Sequence, residues 1–126
     1  MDEFDRLVEL TIARFIKRPR FRHLKIVVED KHNEDYYAAF SAVGRTAFIT
    51  LYKPSMIDFY NTSDFAKTKS FKTFFMATIA HELVHREQWF KMGRNFKKFQ
   101  ILHKSNPEKI EQPACRIEMR IWKAFK

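Results

Sequence analysis

Apolar side chains recur at helical spacing near the start of the chain: Phe4, Leu7, Val8, Thr11, Ile12, Phe15 and Ile16. Asp2 or Asp5 can cap this helix, and Pro19 stops it near Lys17. The period then changes. Leu24, Ile26 and Val28 alternate with Lys25, Val27 and Glu29, which is a strand pattern, and the polar run 30–35 turns the chain. Two β-rich segments, 36–43 and 46–52, meet at Gly44-Arg45 as a hairpin. Pro54 and Ser55 end the sheet region, and Met56, Ile57, Phe59 and Tyr60 leave 55–69 open between a loop and a helical turn over the core. Ser70 caps a helix that runs to Met92 and closes at Gly93. Residues 94–105 read as a basic, aromatic link. Asn106-Pro107 then opens a last helix displaying Ile110, Ile117, Ile121, Trp122 and Phe125. The order predicts one α+β domain over residues 1–126: an N-terminal helix, a small antiparallel or mixed sheet of about three strands, a long helix and a C-terminal helix.

Composition narrows the class. Hydrophobic residues form 45% of the 126, including 14 Phe, enough for one folded core rather than a disordered chain. No stretch approaches the roughly 18 apolar residues of a membrane span. The acidic, amphipathic start is the opposite of a secretory signal, and a single cysteine, Cys115, excludes an internal disulfide framework, so a cytoplasmic protein is expected. The net charge of +9 is uneven. Residues 1–35 carry eight basic and eight acidic side chains, whereas residues 36–126 carry sixteen and seven. Basic clusters lie at Lys67, Lys69 and Lys72, at Lys91, Arg94, Lys97 and Lys98, and at Arg116, Arg120, Lys123 and Lys126. Such a surface attracts an acidic protein or nucleic acid, although no nucleic-acid-binding motif accompanies it.

The chemistry sits in the long helix. His81-Glu82-Leu83-Val84-His85 places two imidazoles four residues apart, on one helical face, where both reach a single metal ion. Glu82 is turned roughly a quarter turn away, able to touch a metal-bound water without ligating the metal. By chance roughly 1% of shuffled chains of this composition would carry the motif, so its setting matters. Phe74, Phe75, Ile79, Leu83, Val84 and Trp89 surround it, as a helix buried beneath a site requires. Two histidines and a carboxylate buried there without a metal would be costly.

A hydrolytic zinc site takes three protein ligands and a water. A third histidine six residues after His85 would complete one known extension, but that position is Lys91, and Gln88 stands where that extension has glycine. The remaining candidates are carboxylates on the last helix: Glu108, Glu111 and Glu118. The combination His81-Glu82-Leu83-Val84-His85-x-x-Gln88 followed by Asn106-Pro107-x-x-Ile110-Glu111-x-x-Ala114 resembles compact, single-domain gluzincin-type zinc metallopeptidases, minigluzincin-like proteins of zincin fold. The resemblance implies Glu111 as third ligand beside His81 and His85, one Zn2+ per chain, and Glu82 as the base. Three departures stand out. Arg86 and Glu87 replace uncharged and hydrophobic residues, Cys115 occupies a position where related sequences often have aspartate, and Pro113 lies inside the last helix, either kinking it or delaying its start.

The implied reaction is peptide hydrolysis by Glu-assisted attack of a zinc-bound water. His103 is a candidate for polarising the carbonyl or oxyanion, Tyr52 is a second such donor, and Gln88 can orient a ligand. An edge strand within residues 36–52 would pair with the substrate backbone. The partner expected is a peptide or protein substrate, and the location is cytoplasmic, or the virion should the source be a phage. Two other classes compete: a zincin-fold structural or binding module within a larger complex or virion, and a basic nucleic-acid-binding protein with an incidental zinc site.

Overall fold

The computed structural model describes residues 2–124, and Phe125 of the expected apolar helix face, like Lys126 of the basic cluster, lies outside them. Its architecture is α+β, mostly helical, with six α-helices and one three-stranded sheet among the described residues. Helix α1 (Glu3–Thr11) starts at Asp2, whose side chain accepts from the Asp5 amide, and continues into a wider π turn at Ile12–Ile16. Strand β1 (Leu24–Glu29) pairs in parallel with β3 (Thr46–Tyr52), and β2 (Ala38–Val43) pairs antiparallel with β3. The order β1-β3-β2 makes the sheet mixed and leaves β2 at an edge. The expected hairpin is present, with Gly44 at φ 59° supplying the positive backbone angle its two-residue turn needs. In the central strand Ala47, Ile49 and Leu51 alternate inward and are almost fully buried.

In the connecting segments one open reading is resolved and one expectation changes. Pro54 ends the strand and also stands in the first turn of α2 (Lys53–Thr62), where its missing N–H costs nothing. The short α3 (Asp64–Lys67) follows, so 55–69 is largely helical. Residues 94–105 are not a link: α5 (Phe96–Ser105) is capped by Asn95, whose side chain accepts from the Lys98 amide. What makes it a helix is packing, since Phe96 and Phe99 lie one turn apart and both meet Phe40 of β2, with ring centroids 6.1 and 5.6 Å away.

Helix α4 (Phe71–Lys91) runs through the middle of the molecule, capped by the Ser70 hydroxyl on the Thr73 amide. Gly93, at φ 74°, takes the left-handed turn that ends it. Phe74, Phe75, Ala77, Ile79 and Trp89 are buried on several sides of this helix, against the sheet, α1 and α6 (Pro107–Ala124). Phe74 lies within 6.2 Å, ring to ring, of Tyr37, Phe59, Tyr60, Phe71 and Trp122. Arg86, one of the departures from the family pattern, is buried. Its guanidinium donates to the Arg20 carbonyl and the Glu87 carboxylate and covers the rings of Phe21 and Phe90. That clasp ties the metal-motif helix to the segment between α1 and β1. Helix α6 runs unbroken through Pro113, which forgoes only the one backbone donor it lacks.

Candidate metal centre

His81 and His85 project from α4 toward α6, and Glu111 meets them from the second turn of α6. Nε2 of His85 is 2.7 Å and Nε2 of His81 3.1 Å from the same oxygen, Glu111 Oε1. Ligand atoms from the three side chains lie within 4.8 Å of one another, a cluster able to hold a metal ion. Of the three carboxylates left open by the sequence, Glu108 is exposed at the start of α6 and outside the cluster.

Each imidazole is held from behind. His85 Nδ1 donates to Gln88 Oε1 at 2.9 Å, and the Gln88 amide nitrogen donates to the Ile110 carbonyl at 2.9 Å, which fixes the amide's orientation and links α4 to α6. His81 Nδ1 donates to Glu118 Oε1 at 2.8 Å, and the other Glu118 oxygen accepts from Trp122 Nε1 at 3.3 Å. Glu118, a candidate ligand in the sequence, thus sits behind His81 and outside the three-residue ligand cluster. With Nδ1 of both rings committed as donors, both Nε2 atoms are the ones free to bind a metal.

With a carboxylate oxygen facing both Nε2 atoms, the site favours the protonated form of each ring. Burial alone would lower the His81 pKa, but hydrogen bonds to Glu111 and Glu118 dominate and raise it to about 10. His85 moves in the same direction, with burial opposing and Glu111 and Gln88 prevailing. The two imidazoles hold Glu111 far below the usual carboxylate range. The three side chains stabilise one another's charged forms, with both Nε2 atoms directed at Glu111.

Glu82 differs from every other group here. It is 7% exposed, and its Oε2 has no hydrogen-bond partner among the described residues. Burial pushes its pKa above the ordinary value, against the pull of His85 and His81. A buried carboxylate oxygen left unpaired beside two histidines fits a group meant to receive a proton from a small molecule in the cleft. The donor set of two imidazoles and one carboxylate is therefore one that could hold a metal ion, with Glu82 adjacent.

The cleft over this cluster has a volume of about 410 Å³ and is bounded by β2, α4, α5 and α6. Ala38, Ala39 and Phe40 of the edge strand form one wall, and His103 of α5 stands at the mouth, with Nε2 3.5 Å from Glu111 Oε2 and its side chain 43% exposed. Tyr52 does not line the cleft; Tyr37 does. Burial, with the charges of Glu118 and Glu82, raises the Tyr37 phenol to about 12, so it remains a donor across the working range. The sequence reading missed Tyr37, whose signal was its place directly ahead of the edge strand. It also missed the role of Glu118, which is seven residues, two helical turns, beyond Glu111 and hence on the same face. Among the described residues, no helix is long and apolar enough to cross a membrane. No protein-family model matches the chain, and neither does any curated protein or solved structure.

Proposed function

We propose that this protein is a zinc-dependent metallopeptidase that hydrolyses peptide bonds. The observation that supports this reading best is the convergence of His81, His85 and Glu111 around one point while the neighbouring Glu82 keeps a buried, unpartnered oxygen. A zinc ion held by those three side chains would supply a Lewis acid for the carbonyl and bring the pKa of an attacking water down to about 7. Glu82 Oε2 accepts the proton from the attacking water and returns it to the leaving nitrogen, a role suited to a carboxylate whose pKa burial has raised. Tyr37 and His103, which both line the cleft, are the candidate donors to an oxyanion. Peptide rather than another substrate is favoured by the open edge of β2, which offers backbone hydrogen bonds to an extended chain along the cleft wall.

The test is metal content and hydrolysis measured together. Wild-type protein should hold one zinc per chain, and His85→Ala and Glu111→Ala should lose it. Glu82→Gln should keep the zinc and lose at least about a hundredfold in peptide cleavage. Retained cleavage in Glu82→Gln, or a wild type that takes up no metal on reconstitution, would overturn the reading.

A further inference from the structure

Beside the cleft, and touching it through Glu111, an open depression of about 740 Å³ runs along α6. Its floor is apolar at Cys115 and Met119, both exposed, and its rim carries Arg116, Arg120 and Lys123. Positions 116, 120 and 123 are four and three residues apart, so the three cations share one helical face. No carboxylate among the described residues lies within ion-pair distance of any of them. Helix-end electrostatics accounts for Lys123 in the last turn of α6 but not for Arg116 further back. Glu108, at the other end of the depression, is the one acidic group there not committed to the metal cluster. Apart from its histidines, the wall of the metal cleft carries no basic side chain among the described residues, and Asp35, Glu82 and Glu118 on it are acidic.

We propose that this depression is the substrate's second docking site, and that it selects polypeptides with acidic side chains on one side of the bond to be cut. The proposal rests on the metallopeptidase reading for the position of that bond. Its own content is charge complementarity: three cations without a carboxylate partner among the described residues, beside an apolar strip and continuous with the reacting centre through Glu111, fit an acidic segment whose aliphatic parts lie on Cys115 and Met119. Because the depression adjoins the cleft at a single ligand, the occupant is the flank of whatever chain lies in the cleft.

The experiment compares pairs of fluorogenic peptides that differ only by Asp/Glu against Asn/Gln at three positions, placed on either side of the scissile bond. Zinc-loaded wild type should favour the acidic member by about tenfold in kcat/KM at low salt, for placement on one side only, and lose most of that preference at 0.5 M NaCl. Arg116→Glu/Arg120→Glu should abolish or reverse the ratio. Lys25→Glu, on the far edge strand, should keep it. An unchanged ratio in the double variant overturns the proposal. A parallel arm uses Glu82→Gln and fluorescence anisotropy with the same acidic peptide and with a 12-nucleotide single-stranded DNA. If no peptide is cleaved by wild type, the hydrolase reading falls, and binding of the acidic peptide that depends on Arg116 and Arg120 still sustains the docking site. Tighter binding of the DNA through those arginines would identify a nucleic-acid surface and overturn the assignment to acidic polypeptide.

Discussion

Removing the Glu118 carboxylate should weaken metal binding without dismantling the ligand set. Glu118 Oε1 holds His81 Nδ1 at 2.8 Å, with side-chain exposures of 25% for Glu118 and 17% for His81, so the bond is only partly screened. A charge-assisted hydrogen bond contributes about 1.5–3 kcal/mol, and each 1.4 kcal/mol is about a factor of ten in affinity. Glu118→Ala should therefore raise the zinc Kd by about ten- to a hundredfold, the range seen when a carboxylate behind a metal-bound histidine is lost. Glu118→Gln keeps an acceptor for Nδ1 but not the charge and should fall between, at roughly three- to tenfold. The alanine also leaves Trp122 Nε1 without its partner, at a cost of about 1 kcal/mol in the metal-free fold. Competition with a chromophoric chelator gives the Kd, and thermal melts of metal-free protein separate the fold cost from the binding cost. Glu108→Ala, an exposed carboxylate outside the cluster, is the control and should change nothing. If Glu118→Ala binds zinc within twofold of wild type, His81 is not oriented by Glu118 and the account of the site is wrong.

Three further outcomes follow from the same geometry. Zinc uptake at pH 7 should release protons, because His81, with a pKa of about 10 in the metal-free cluster, gives up the one on Nε2; calorimetry in two buffers of different ionisation enthalpy should yield different heats, and equal heats would refute it. In the metal-free protein the raised His81 contributes stability that is full below its unfolded value of 6.5 and is lost as pH rises through about 10. The depressed Glu111 contributes above its unfolded value of 4.5 and loses that contribution in acid, so this cluster should make the metal-free melting temperature highest between 4.5 and 6.5. A melting temperature still climbing at pH 9 would contradict this. Phe74→Ala should cost about 3–5 kcal/mol, or roughly 10–20 °C in melting temperature, since the ring is 1% exposed and packs against five aromatic neighbours. A loss under 1 kcal/mol in denaturant titration would show that this aromatic cluster is not the support of the cleft.

The residues legible in the sequence are those whose relation is local. His81, Glu82 and His85 belong to one helix, so spacing alone fixes which of them share a face. Element types came through where the period was long or the punctuation strong, as in α1, β3 and α4. Helix α5 was hidden because its exposed face is dominated by Lys97, Lys98 and Lys104, and its few apolar positions acquire meaning only against Phe40 of another element. The parallel pairing of β1 with β3 was equally out of reach, since nothing in a strand names its neighbour. Nothing local marks Arg86 for burial, since arginine is usually exposed. Its burial depends on a carbonyl 66 residues away and on two aromatic rings. Glu118 could have been found by asking which residues share a helical face with Glu111.

The position of β2 has a consequence for how the protein behaves in bulk. Its sequence, Ala38-Ala39-Phe40-Ser41-Ala42-Val43, contains no charge and no proline, and Val43 at its end is 74% exposed. The other edge, β1, carries Lys25 and Glu29, side chains that discourage stray pairing. On the proposed peptidase function, a strand whose backbone must remain available to an incoming peptide cannot be blocked in that way, so at high concentration a second molecule competes for the same hydrogen bonds. Self-association through β2 would then appear as a fall in turnover per molecule as the protein is concentrated, relieved by any peptide long enough to cap the strand.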